Sequence, residues 1–243
     1  VAGMKLAQMI EDGTITADAA KIGYVGAFPF AEVISGFTSF FLGARSQCPS
    51  VTMEVRYTNS WADMALEKET AKALIANGCV LISQHADTTG APSACEAAGV
   101  PCVGYNISML PVAPNTALTS AAGDWGAYVT YAVKCLIDGE EIDRDWCKGY
   151  AEGAVYTTEL NDSIVAPGTA EKVAELEAGF KAGTVKVFDT SAFTVNGETL
   201  TSYTTAYGLD GIEMVSDGEF HESSVRSAPY FDILIDGITA VVE

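Results

Sequence analysis

Four short stretches in the first half of the chain hold the side chains best suited to gripping a small molecule. They are Ala27-Phe28-Pro29-Phe30, Thr58-Asn59-Ser60-Trp61-Ala62-Asp63, Ser83-Gln84-His85-Ala86-Asp87-Thr88-Thr89-Gly90 and Tyr105-Asn106-Ile107-Ser108. The chemistry they offer is recognition. The Trp61 indole presents a face for stacking, with Phe28 and Phe30 as further rings. Gln84, His85, Asn106 and the carboxylates Asp63 and Asp87 can bond the polar edge of a ring or sugar hydroxyls. A flat ring such as a nucleobase suits the set. Trp125 is a further aromatic candidate later in the chain.

Each of these residues also has a purely structural reading. Trp61 stands just before a helix start and could act as a hydrophobic staple. Asp63 is well placed as an N-cap, and Asp87 could cap the helix that follows it. His85, one of two histidines, could be a satisfied structural group at a strand end. Phe28, Phe30 and Trp125 could belong to the core.

What must position these groups is a run of alternating elements. Apolar periodicity predicts helices over residues 1–12, 31–45, 63–77 and 92–98. It predicts strands over residues 21–26, 51–57, 80–82 and 101–105. Strand and helix alternating through short connections is the signature of a parallel sheet flanked by helices. In such sheets ligands bind beyond the carboxyl ends of the strands, where the four stretches fall. The pattern then changes. Residues 110–115, with Pro111 and Pro114, read as a linker, and residues 118–120 as short and extended. Residues 125–137 read as a helix, 149–158 as a strand and 169–182 as a helix. Residues 185–187 and 193–195 read as short strands, with a turn at Asn196-Gly197. Residues 200–226 are polar and turn-rich, and 230–242 suit a strand or a short helix.

Composition narrows the function classes. At 243 residues with 49% hydrophobic and 19% charged residues, the chain can bury a sizeable core. Thirteen Lys and Arg against 32 Asp and Glu leave a net charge of −19. Such a surface repels nucleic-acid phosphates and anionic lipid. Enzyme signatures are missing: no G-x-S-x-G, Walker A, G-x-G-x-x-G or H-E-x-x-H motif occurs. Six cysteines show no metal-ligand spacing, so no metal or other cofactor is expected. Cys95 with Cys102 and Cys135 with Cys147 are the only pairs near enough in sequence to suggest a bridge.

Several of these stretches, in this order, resemble the basic membrane protein family of substrate-binding lipoproteins. The matching segments are Val1-Ala2-Gly3-Met4-Lys5, Lys21-Ile22-Gly23-Tyr24-Val25, Tyr57 through Asp63 with Glu67-Lys68-Glu69, and Ile82-Ser83-Gln84-His85-Ala86-Asp87. Gly104 through Met109, Leu118-Thr119-Ser120, Asp124-Trp125-Gly126 and the stretch from Trp146 to Val155 follow. The resemblance implies a type I periplasmic-binding-protein fold, α/β, with two lobes closing on a ligand. It implies capture of a purine nucleoside or base outside the cell by a lipid-anchored protein that serves an ABC transporter permease. It implies that Trp61 stacks on the base, that Asn106 contacts the ligand and that the Gln84-His85-x-Asp87 loop lines the cleft. Two departures stand out. Ala121-Ala122-Gly123 occupies the place where the nucleoside-binding branch often has a lysine, and Asn106 stands where an aspartate is common. A bare base or another purine-like ligand therefore remains open.

Family members carry the lipobox cysteine and most of the first lobe ahead of the Val-Ala-Gly segment. The expectation is one complete lobe over residues 1–107, completed by about 150–195. A segment returning to the other lobe spans 118–148, and a C-terminal hairpin and tail spans 196–243. In that arrangement the helix from Trp125 exposes an apolar side that invites pairing with another chain. Two other readings of the same site stay open: a ligand-sensing receptor domain, and a nucleoside-processing α/β enzyme using His85 or Asp87 as acid or base.

Overall fold

The computed structural model describes residues 1–205 and 211–241. Part of the expected polar stretch 200–226 and the end of the tail expected over 230–242 lie outside the described residues. The elements begin with α1 (Ala2–Glu11), β1 (Lys21–Gly26), α2 (Ala31–Arg45), β2 (Thr52–Tyr57) and α3 (Met64–Ala76). They continue with β3 (Leu81–His85), α4 (Gly90–Ala98), β4 (Cys102–Tyr105), β5 (Ala117–Gly123) and α5 (Trp125–Asp138). Last come β6 (Val155–Thr157), α6 (Thr169–Lys181), β7 (Val215–Ser216), β8 (Glu219–Phe220) and β9 (Ile238–Val241). β7 and β8 form a small separate hairpin.

The large sheet has the order β6-β5-β4-β3-β1-β2-β9. All neighbours in it are parallel except β5 with β6. The order 5-4-3-1-2 is that of a doubly wound sheet. Successive connections leave β1 in opposite directions, so a crevice opens at the carboxyl ends of β1 and β3. The sequence dictates two covered faces. Tyr24 and Ile22 point to the side where Leu6, Phe37 and Phe41 of α1 and α2 pack. Val25 and Ile82 point to the other, against Ala71 and Leu74 of α3 and Ala91 and Ala94 of α4. Strands buried on both faces read as nearly continuous apolar runs, which is how β1 and β3 read.

Three departures from the sequence expectation have physical causes. First, β3 runs on to His85 instead of ending at residue 82, because Gln84 and His85 stay in register with Val25 and Gly26 of β1. Second, residues 118–120, expected to be short and extended, belong to a full strand, β5, beside β4. Third, residues 185–187 and 193–195 are not strands. Phe188 and Phe193 are instead held by their rings, which pack on Phe231 with centroids 4.5 and 5.9 Å away. The Asn196-Gly197 turn forms as expected, closed by a bridge between Val195 and Glu198. The expected strand over 149–158 is confined to β6.

The C-terminal segment is fastened to the same sheet. β9 lies along the outer edge of β2. The Arg45 guanidinium, stacked 4.9 Å from the Phe41 ring, donates to Ala192 O (2.6 Å) and Asp236 O (3.1 Å). Helix α5 behaves differently: Cys135 is its one fully buried residue, while Trp125, Val129, Val133, Leu136 and Ile137 are exposed.

On the second face, α4 begins against the first turn of α3. A Cβ added at Gly90 would lie 2.3 Å from the Met64 carbonyl oxygen. That oxygen is backbone and cannot swing aside. Gly90→Ala is therefore expected to destabilise the protein by about 1–3 kcal/mol, the usual cost of overpacking, read as a lower urea midpoint with an unchanged slope. An unchanged midpoint would show that α3 and α4 do not rely on this close approach.

Candidate functional site

The loops leaving β1, β2, β3 and β4 meet at the crevice. Phe28 and Phe30 stack with centroids 5.0 Å apart and planes 11° from parallel. Trp61 lies 5.6 Å from Phe28 and 6.5 Å from Phe30. His85 follows at 6.3 Å from Trp61, and Tyr105 at 4.5 Å from His85. Five rings, at the ends of β3 and β4 and in the loops after β1 and β2, thus form one row. Phe30 is half exposed, while Phe28, Trp61 and Tyr105 are partly buried.

Backbone bonds set this row. The Thr58 amide donates to Gly26 O (2.9 Å), and the Thr58 hydroxyl donates to Ser60 O (2.7 Å), turning the chain after β2 toward β1. The Asp87 amide donates to Trp61 O (2.8 Å), joining the loop after β3 to the loop after β2. The Asn106 Nδ2 donates to Asp87 Oδ1 (2.8 Å), adding the loop after β4. Asn106 is in the left-handed region at φ 67°, a conformation asparagine tolerates better than most residues. There its amide donates to Ala121 O (2.9 Å). Asp87 is therefore the point where three loops are tied.

The nine sequence candidates separate by this geometry. Phe28, Phe30, Trp61, His85, Asp87 and Asn106 come together. Gln84 does not face the guest: it is buried, and its Nε2 donates to Ala86 O (2.7 Å) and Thr88 O (2.9 Å), shaping the loop from beneath. Asp63 takes its N-cap role, its Oδ1 accepting from the Leu66 amide (2.9 Å). Trp125 stands outside the ring row, 77% exposed at the start of α5. Tyr105 was legible as the last residue of a strand whose loop carries Asn106, yet sequence alone did not single it out.

Trp125 instead lines a cavity of about 750 Å³. This space opens beside the ring row and shares Tyr105 and Asn106 with it. Its other walls include Tyr128, Trp146, Tyr150 and Tyr156. Sequence reasoning missed these aromatics because they lie on α5, β6 and the chain between them, away from the strand ends it searched. We place the candidate site at the ring row, because the switch point and the tied loops coincide there.

Electrostatics favour an uncharged guest or a cation. Residues 27–32, 58–63, 86–90, 106–110 and 121–124 contain no Lys or Arg but include Glu32, Asp63, Asp87 and Asp124. Burial pushes the Tyr105 hydroxyl up, and nearby Asp87 and Glu32 add to it. Glu67, fully buried beneath the loop, accepts from the Thr88 hydroxyl (2.7 Å) through one oxygen and has no partner on the other. Burial raises its carboxyl above the usual range, opposed by Thr88 and reinforced by Asp87 and Asp63. His85 is neutral at ordinary pH, because burial lowers it to about 4. A neutral imidazole offers one donor and one acceptor, the pattern a heterocycle edge presents. Its ring is admitted against α2 by Gly36, where an added Cβ would sit 2.4 Å from His85 Nδ1. Among the described residues no cluster of side chains is arranged to hold a metal ion.

Comparison with known proteins agrees with this architecture. The sequence profile of the PnrA-like ABC transporter substrate-binding proteins matches residues 13–188. A purine-binding protein of Brucella abortus is 35% identical over 180 residues, covering 72% of this chain and 51% of that protein. A putative ABC transporter glucose-binding protein of Haloferax volcanii is 36% identical over 147 residues, covering 60% of this chain and 36% of that protein. The chain thus spans about half the length, or less, of these relatives. Among solved structures, an ABC transporter solute-binding protein from Aeropyrum pernix superposes with a TM-score of 0.59 at 19% identity, over 77% of this chain and 64% of that one. That likeness is one of fold.

The buried histidine makes a pH prediction. Its folded-state value of about 4 lies below the 6.5 of an unperturbed imidazole. Its contribution to stability is present above pH 6.5 and is lost as pH falls from 6.5 toward 4. A shift of this size corresponds to on the order of 3 kcal/mol. The urea midpoint should fall across that window, and His85→Gln should flatten the fall. An equal fall in the variant would remove His85 as its cause.

Proposed function

Since the chain belongs to the family of PnrA-like ABC transporter substrate-binding proteins, we propose that it is the ligand-recognising part of a solute receptor for purine bases or nucleosides. The observation that carries this reading is the row of five rings at the switch point of the sheet, with Asn106, Asp87 and the neutral His85 beside it. The rings supply stacking area; the amide, carboxylate and imidazole supply a mixed donor and acceptor edge. The purine-binding relative supports the ligand class. The absence of Lys and Arg from the strand-end loops favours a base or nucleoside over a phosphorylated form.

In this reading the ring of the ligand lies against Trp61. Its polar edge faces His85 and Asn106, and Asp87 holds Asn106 in position. Phe28 and Phe30 close the side. Closure of a second lobe over the ligand would bury it, and an ABC permease would receive it. Capture occurs outside the cytoplasm, from a protein held at the membrane by a lipid anchor. None of these roles requires bond chemistry.

Isothermal titration of the chain with adenine, guanine, adenosine, guanosine and inosine tests the proposal. At least one of them should bind, and Trp61→Ala should weaken that binding about tenfold or more. Stacking of a base on an aromatic ring contributes about 1–3 kcal/mol, and about 1.4 kcal/mol is a factor of ten. Asn106→Ala should weaken it as well, while Asp63→Asn should leave it within about twofold, since Asp63 works as a cap. No heat with any of the five, or an unaltered affinity in Trp61→Ala, would overturn the reading.

A further inference from the structure

Away from the crevice, the most informative unused groups are two buried cysteines. Cys95 lies near the end of α4 and Cys102 opens β4. Their side chains are essentially inaccessible, at 0% and 2% exposure. Between them the chain reverses through Gly99 at φ 68°, and the Val100 amide donates to Cys95 O (3.1 Å), bringing the two elements together. The two thiols share their surroundings with Ala91, Ala94, Ile82 and Ala117, all apolar. The two side chains are therefore packed in one apolar cluster, on elements that the turn at Gly99 brings together.

We propose that Cys95 and Cys102 form a disulfide in an oxidising thiol environment, fastening the last turn of α4 to the first residue of β4. The oxidant is an external disulfide such as glutathione disulfide. One cysteine thiolate attacks a glutathione sulfur, forming a mixed disulfide and releasing one glutathione thiolate. The second cysteine thiolate then attacks the first cysteine's sulfur in the mixed disulfide and expels the remaining glutathione thiolate. Two cysteine thiols become one disulfide; one glutathione disulfide takes up two electrons and two protons and becomes two thiols.

Burial and the neighbouring thiol push Cys95 up, holding it as an unreactive thiol in the folded state. Exchange with solvent reagents is thus slow once the chain is folded. The bond forms while the chain is open and is then shielded. Its position matters because α4 and β4 adjoin the loops that carry Asp87 and Asn106. The bridge holds both elements at the ends remote from those loops. The inference does not depend on the identity of the ligand.

The test is to refold the chain from urea in a glutathione redox buffer, then unfold it without reductant in iodoacetamide and map the peptides. Cys48, Cys79, Cys135 and Cys147 should be alkylated. Cys95 and Cys102 should resist alkylation and appear as one cross-linked peptide pair that dithiothreitol separates. Reduction should lower the urea midpoint of the native chain but leave that of Cys95→Ala/Cys102→Ala unchanged. Full alkylation of Cys95 and Cys102 without reductant would overturn the proposal. So would a bridge from either one to Cys147. The peptide map and the midpoint of the native chain come from the unmodified protein, so they decide the matter even if the double variant folds poorly.

Discussion

The structure depends on one constraint: parallel strands must finish at the same edge. β1 to β4 run side by side in one direction, and the connections from β1 depart to opposite faces. Every loop that leaves a strand end must therefore cross the same crevice. Phe28, Trp61, His85 and Tyr105 are distant in sequence, yet they become neighbours because each follows or ends a strand. The amide of Asp87 on Trp61 O and the side chain of Asn106 on Asp87 then fix the loops to one another. Without the parallel order, these bonds would have no partners to reach.

Charge and burial then decide what kind of guest the crevice accepts. A chain with a net charge of −19 would repel an anion in any case, and the strand-end loops add carboxylates without a cation. Its electrostatics favour a neutral or positively charged guest over an anion. Burial keeps His85 neutral. Glu67, buried under the same loop, is stabilised by the Thr88 hydroxyl yet left with an unpartnered oxygen. This cost is carried directly beneath the recognition loop, where a group held against its solvation preference is a common companion of function. The family membership agrees, since the matching profile is that of ABC transporter substrate-binding proteins.

Much of the fold was legible in the residues. The period-two pattern of β2, the Asp63 cap of α3 and the aromatic stripe of α2 each predicted its element to within a residue or two. These are local signals. The failures came where distant contacts decide. Nothing in Ser83-Gln84-His85 distinguishes a strand from a loop until β1 lies beside it. Residues 185–187 and 193–195 read as strands because apolar residues are present, but the rings of Phe188 and Phe193 pack on Phe231 and the backbone here makes only isolated bridges, at Asp189 and Val195. Of the candidate site, Trp61, His85, Asp87 and Asn106 could be read from the sequence because each ends or follows a strand. Gln84 was misplaced because its two carbonyl partners lie in its own loop. The aromatics around Trp125 were missed because they lie on other elements.

Two apolar spaces adjoin each other here, and only one can be the principal ligand site. A crystal structure of the chain soaked with a purine base separates them. Density for the base stacked on Trp61, with its polar edge toward His85 and Asn106, is the expected result. Density confined to the cavity walled by Trp125, Tyr128 and Trp146, with the Trp61 face empty, would contradict the assignment of the strand-end ring row as the site of recognition.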